Sequence, residues 1–120
     1  MFERLADTAR NTPSIKWRSR YLQMKIGVRS GDDATVIEFD RGIVRVKTSD
    51  GGEEPTFTLI ANKDAWELFA EPAPPPGFND IMAMSSCGNL EIQGDFVAFQ
   101  QNLLLVSMLF EGLRTQGAAA

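Results

Sequence analysis

The chain has 120 residues, 43% of them hydrophobic, and a net charge of −4, enough for one domain with a core of its own. It has no histidine and one cysteine, which excludes Ser-His and Cys-His nucleophile pairs, the usual zinc sites and a disulfide framework. The acidic balance argues against a nucleic-acid binder, and no run approaches the ~20 apolar residues of a membrane helix.

MFERLADTARN opens the chain as a helix with Phe2, Leu5, Ala6 and Ala9 on one stripe, ended by Thr12-Pro13. It lacks the apolar core of a signal peptide, so the expected location is cytoplasmic. Residues 1–30 carry seven Lys/Arg and two acids, against five and fourteen in the rest. Arg10, Lys16, Arg18 and Arg20 around Trp17 read as a basic linker. That linker is a solvated edge or a contact for an anionic partner, at most a peripheral membrane contact.

From Tyr21 the period becomes two. Leu22, Met24, Ile26 and Val28 share one face, and the turn SGDD leads to a strand with Ile37 and Phe39 inward. Arg41-Gly42 turns the chain into IVRVKT, with Val44 and Val46 inward. The polar turn SDGGEEP precedes TFTLIA, with Phe57, Leu59 and Ala61 inward. Four half-apolar strands in succession predict an antiparallel meander with one wet face. Helices must cover the other face.

Asn62 or Asp64 is placed to cap a short helix bearing Trp66 and Phe69. The proline segment PAPPPG separates it from a second short helix, FNDIMAMSS, with Ile81, Met82 and Met84. A fifth strand holds Leu90 and Ile92, and Asp95 caps one long helix from Phe96 to Arg114, about 28 Å at 1.5 Å per residue. The expected fold is α+β: a five-stranded, mostly antiparallel sheet covered on one face by helices. A single domain fills residues 1–120, with an N-terminal helix and basic linker over 1–20 and a flexible tail over 115–120.

On the long helix, Phe96, Phe99, Leu103, Val106 and Phe110 align and should face the sheet. Leu105 and Leu109 then point away, with Met108 partway round. A helix apolar on all sides is normally buried on all sides. The outer face is therefore expected to meet a second copy, a different subunit or a ligand.

Gly88-Asn89-Leu90-Glu91-Ile92-Gln93-Gly94-Asp95, lying after four strands and two short helices, resembles the signature before the last helix of the sterol carrier protein two family, the nonspecific lipid-transfer proteins. The resemblance covers residues 21–113. It implies a hydrophobic tunnel between sheet and helices that takes sterols, acyl chains or other lipid-like ligands. Members of the family also serve as accessory or dimerisation modules beside enzymes. The sequence departs from the family in its continuously apolar stretch from Leu103 to Phe110, in its proline segment, and in ending on Ala-Ala-Ala.

On that resemblance, Trp66, Phe69, Ile81, Met82, Met84, Phe99, Leu103, Val106 and Phe110 line the tunnel. From the residues alone, the same side chains equally make an ordinary core. Leu105, Met108 and Leu109 are the expected interface, in a homodimer or against a partner enzyme subunit. No catalytic residue, metal ligand or cofactor is expected. Cys87 has no neighbouring cation or base in sequence to activate it. The Asp32-Asp33 and Glu53-Glu54 pairs are solubilising turn residues. Two readings follow: non-catalytic binding or transfer of an apolar ligand, or an accessory subunit that docks a partner through its last helix. An enzyme using Asp, Glu, Lys or Tyr21 ranks third.

Overall fold

The computed structural model describes residues 1–114, so the expected tail lies outside the described residues. Helix α1 (Arg4–Asn11) and helix α2 (Pro13–Ser19) precede strands β1 (Gln23–Ser30), β2 (Asp33–Asp40), β3 (Ile43–Thr48) and β4 (Phe57–Ala61). Helices α3 (Lys63–Phe69) and α4 (Ile81–Ser86), strand β5 (Glu91–Gly94), helices α5 (Phe96–Gln101) and α6 (Leu103–Phe110) and a 3-10 turn (Glu111–Leu113) follow. The architecture is α+β, with the five strands in one sheet.

The inward strand residues are as the period of two demands. Ile26, Ile37, Phe57 and Leu59 are fully buried, and Val28 and Phe39 nearly so. The strand order corrects the meander. It is β3-β2-β1-β4-β5, and β4 runs parallel to β1, with Ile26 opposite Phe57 and Ser30 opposite Ala61. The β1–β2, β2–β3 and β4–β5 pairs are antiparallel. Two tight turns fix the first two pairings. The second places Arg41 at φ 49° and Gly42 at φ 90°, the left-handed geometry that matches strand twist.

The link from β3 to β4 crosses the outer face of the sheet. A side chain at Gly27 would meet Thr58 and Pro55, and Pro55, Glu53 and Gly51 share a cleft with Gly27 and Val36. This loop buries Val36 on the face expected to be wet. Glu53 anchors it, accepting from Ser49 Oγ at 3.0 Å and pairing with Lys47 at 3.7 Å.

Helices α3, α4 and α5 each start on a side-chain cap. Asn62 accepts from the Ala65 N–H, Asp80 from Ala83 and Asp95 from Ala98, at 2.8, 2.6 and 3.0 Å. The basic linker is also corrected: residues 13–19 form α2, opened by Pro13, where its missing N–H costs nothing. Ile15 and Ser19 are its buried side, and Ser19 Oγ donates to the Ile15 carbonyl at 2.7 Å.

The single long C-terminal helix is interrupted at Asn102. Hydrogen bonds still cross the break, from Asn102 N–H to Ala98 O and from Val106 N–H to Asn102 O. The Asn102 side-chain amide also donates to Ala98 O at 2.9 Å. The side chain thus competes locally with the ladder it sits in.

Candidate functional site

The inner face of the sheet and the helices enclose one apolar layer. Trp66, Phe69, Ile81, Met84, Phe99, Val106 and Phe110 are fully buried in it, and Met82 and Leu103 are half-buried at its margin. All nine sequence-predicted lining residues therefore belong to one cluster. They meet as aromatic packing: Trp66 stacks on Phe110 at 5.6 Å between centroids and meets Phe69 edge-on at 6.0 Å, and Phe57 meets Phe99 edge-on at 5.5 Å. Five clefts of about 190–460 Å³ open on the molecular surface, and none of these is lined by any of the nine. In this conformation the layer is packed with side chains.

Sequence reasoning missed Phe2 as a member of the layer. Its ring meets Trp66 edge-on at 5.1 Å and Phe110 at 6.2 Å. The helical stripe Phe2, Leu5 and Ala9 carried the signal, because three apolar residues on one side of a short helix require a burial place. That place is the layer itself.

The same helices correct the interface residues. Leu105 and Leu109 are buried within the chain, and Met108 is half-buried against the core. α1 and α2 both pack on α6, and α1 also lies against β3. The chain's own N-terminal segment takes the place expected of a partner. Phe96, expected inward, is exposed, as are Val97 and Leu104.

Close packing of the N-terminal segment depends on a glycine. A Cβ at Gly112 would lie 2.8 Å from Thr8 Cβ and 2.3 Å from Thr8 Oγ1. Only hydrogen fits between α1 and the 3-10 turn. Gly94, in the motif, is constrained twice: its φ is +99°, and a Cβ would lie 2.7 Å from the Thr56 carbonyl oxygen.

Trp66 and Arg114 find backbone acceptors at the edges of the layer, whereas Arg4 Nη1 is buried without a hydrogen-bond partner. Trp66 Nε1–H donates to the Arg29 carbonyl at 2.8 Å. Arg114 donates through Nε to Phe69 O at 2.8 Å and through Nη2 to Phe78 O at 3.0 Å and Asn79 O at 2.8 Å. Its guanidinium carbon sits 4.3 Å from the Phe69 ring centroid. Burial pulls the Arg114 pKa below the ordinary guanidinium value, with Glu111 and Asp80 opposing. Ser19 is the sole buried polar side chain among the described residues, and Cys87 is exposed. Among the described residues no helix is long and apolar enough to cross a membrane.

An apolar layer between one sheet face and a set of capping helices, in this strand order, defines an α+β fold with a mixed five-stranded sheet. Solved structures give it a more particular description. A crystal structure of sterol carrier protein 2 matches with a TM-score of 0.73 at 15% identity, covering 94% of this chain and 92% of that one. A conserved hypothetical protein of Thermus thermophilus, described as possibly a sterol carrier protein, matches with a TM-score of 0.71 at 15% identity, over 95% and 84%. The ubiquinone synthesis protein UbiJ-SCP2 matches with a TM-score of 0.60 at 20% identity, over 92% and 85%. The fold is the sterol carrier protein two fold, as the motif from Gly88 to Asp95 led us to expect. No family model and no curated sequence matches the chain.

Proposed function

We propose that this protein binds an apolar, lipid-like molecule between its sheet and its helices, in the cytoplasm, without catalysing a reaction on it. The observation that carries this reading is the makeup of the layer. It gathers aromatic and aliphatic side chains beneath the sheet, and every side chain of the buried cluster is apolar. Burial is the only chemistry such a space offers, and it is worth about 0.8 kcal/mol per methylene. Met24, Met82 and Met108 lie in or against the layer. Unbranched thioethers repack at little cost, which suits a space that must open for its occupant. Because side chains fill the layer, the ligand enters by displacing them. Half-buried Met82 and Leu103 are the first to give way.

The test is binding of a fluorescent acyl or sterol probe to delipidated protein, read by Trp66 emission and thermal midpoint. A raised midpoint is expected, with affinity lowered in Met82→Ala and Leu103→Ala more than stability is. If no apolar probe moves either signal, the reading is wrong.

A second reading draws on the packed layer and on the exposed Phe96, Val97 and Leu104. In it the chain is an accessory or oligomerising subunit that docks a partner enzyme or a second copy through its C-terminal helices. Native mass spectrometry of protein purified from its source separates the two, since it reports a bound lipid or a bound polypeptide.

A further inference from the structure

The outer face of the sheet carries a cleft that neither reading uses. Its volume is about 190 Å³, and the link from β3 to β4 bounds one side of it. Gly27 and Val36 line it from the sheet. A Cβ at Gly27 would lie 2.7 Å from Thr58 Oγ1 and 3.2 Å from Pro55 Cγ. A larger residue there would push the link away from the sheet.

Two opposite charges line this cleft without pairing with each other. Arg29 shares the outer side of β1 with Gly27 and is exposed. Among the described residues its side chain forms no ion pair. Glu53 is the reverse. Its place in a polar turn predicts a solvated carboxylate, yet only 8% of its side chain is exposed. Its Oε2 accepts from Ser49 Oγ at 3.0 Å. Its Oε1 reaches Lys47 Nζ at 3.7 Å, beyond hydrogen-bond length, and Lys47 is itself 52% exposed. Asp50 lies beside Glu53, and the Gly52 N–H, then Glu53, hold its carboxyl below the ordinary value of 3.8. Two carboxyls thus meet one loosely held cation, while Arg29 in the same cleft meets no anion.

We propose that this cleft binds a small α-amino acid, with its carboxylate on Arg29 and its ammonium on Glu53. A planar guanidinium offers paired N–H donors that match the two oxygens of a carboxylate. A carboxylate withdrawn from solvent holds an ammonium more firmly than an exposed one, because less water screens the pair. The incoming ammonium replaces Lys47, whose side chain is free to turn into solvent. Thr35 and Thr58 add hydroxyls that can donate or accept, and Val36 and Pro55 give a short aliphatic side chain an apolar surface. Drug-sized ligands occupy pockets of about 300–1,000 Å³. This cleft is smaller, which restricts it to the smallest amino acids. A simple anion or amine would answer only one of its two charges.

The test is calorimetric titration of the purified chain with glycine and L-alanine, beside acetate, methylamine and L-tryptophan. Glycine and alanine are expected to bind. Acetate and methylamine each carry one charge of the pair and should bind at least about tenfold more weakly. Tryptophan should be excluded by size. Arg29→Gln should weaken alanine binding about tenfold, with the thermal midpoint of the parent, since Arg29 is exposed. Glu53→Gln should also weaken binding, whereas Lys47→Gln should tighten it, although both substitutions end the same ion pair. Met82→Ala should bind alanine as the parent does, which separates this cleft from the interior ligand site. No binding of either small amino acid, equal binding of acetate or methylamine, binding of tryptophan, binding unchanged in Arg29→Gln, or loss of binding in Lys47→Gln would overturn the proposal.

Discussion

Leu104 and Leu105 are neighbours of identical hydropathy, yet Leu104 is 54% exposed and Leu105 5%. The two sides of α6 on which they lie differ in what the chain lays against them. Leu105 belongs to the buried core cluster, whereas Leu104 stands at the rim of a surface cleft beside α2. An apolar sequence thus measures the demand for burial without saying what meets it. Here the chain meets most of that demand itself with its first twenty residues.

Substitutions can break or sharpen the contrast. The largest effect is expected at Trp66, where truncation to alanine removes the ring that stacks on Phe110 and meets Phe2 edge-on and should cost about 3–5 kcal/mol by chemical denaturation. Next, Leu109→Ala should cost about 2–5 kcal/mol, while Leu104→Ala should fall within about 0.5 kcal/mol of the parent. If the two leucine variants are equally stable, the covered and open sides of α6 are wrongly assigned. Gly112→Ala should destabilise by about 1–3 kcal/mol, because the new methyl collides with Thr8. Relief of that loss by Thr8→Ala in the same chain would show that the collision is the cause.

The smallest effect lies far from this contact. Arg41, then Arg45 and Gln23, hydrogen-bond Asp40 and hold its carboxyl below the ordinary value of 3.8. A carboxyl depressed by folding contributes stability at neutral pH that is lost as the pH falls through its lowered value. Asp40 is exposed to solvent screening, so Asp40→Asn should only slightly flatten the acid limb of a stability–pH curve.

The strands were legible in the sequence because Met24, Ile26 and Val28, or Phe57, Leu59 and Ala61, fall at every second position. Their order was not. Tight turns specify which consecutive strands pair, but nothing local in SDGGEEP tells the chain to cross the sheet and run beside β1. Two helix starts were legible from Asn62 and Asp95, whose side chains serve backbone donors three residues on; the cap at Asp80 was not read from the sequence. Helix α2 was hidden because PSIKWRS offers one apolar anchor, Ile15, among cations. The nine side chains expected to line a tunnel lie in or against one core cluster. Leu105 and Leu109 were misplaced because a helical wheel locates the inner face of a helix and is blind to a second cover.

Arg114 carries a different consequence. Its guanidinium joins the end of α3 to residues 78 and 79, so the proline segment between them becomes a noncovalent ring closed by a single side chain. That closure is made by the final residue of the described fold, which is distant in sequence from everything it holds. The hoop around PAPPPG can shut only after the C-terminal helices have docked. Its integrity therefore reports on whether the lid of the domain is down.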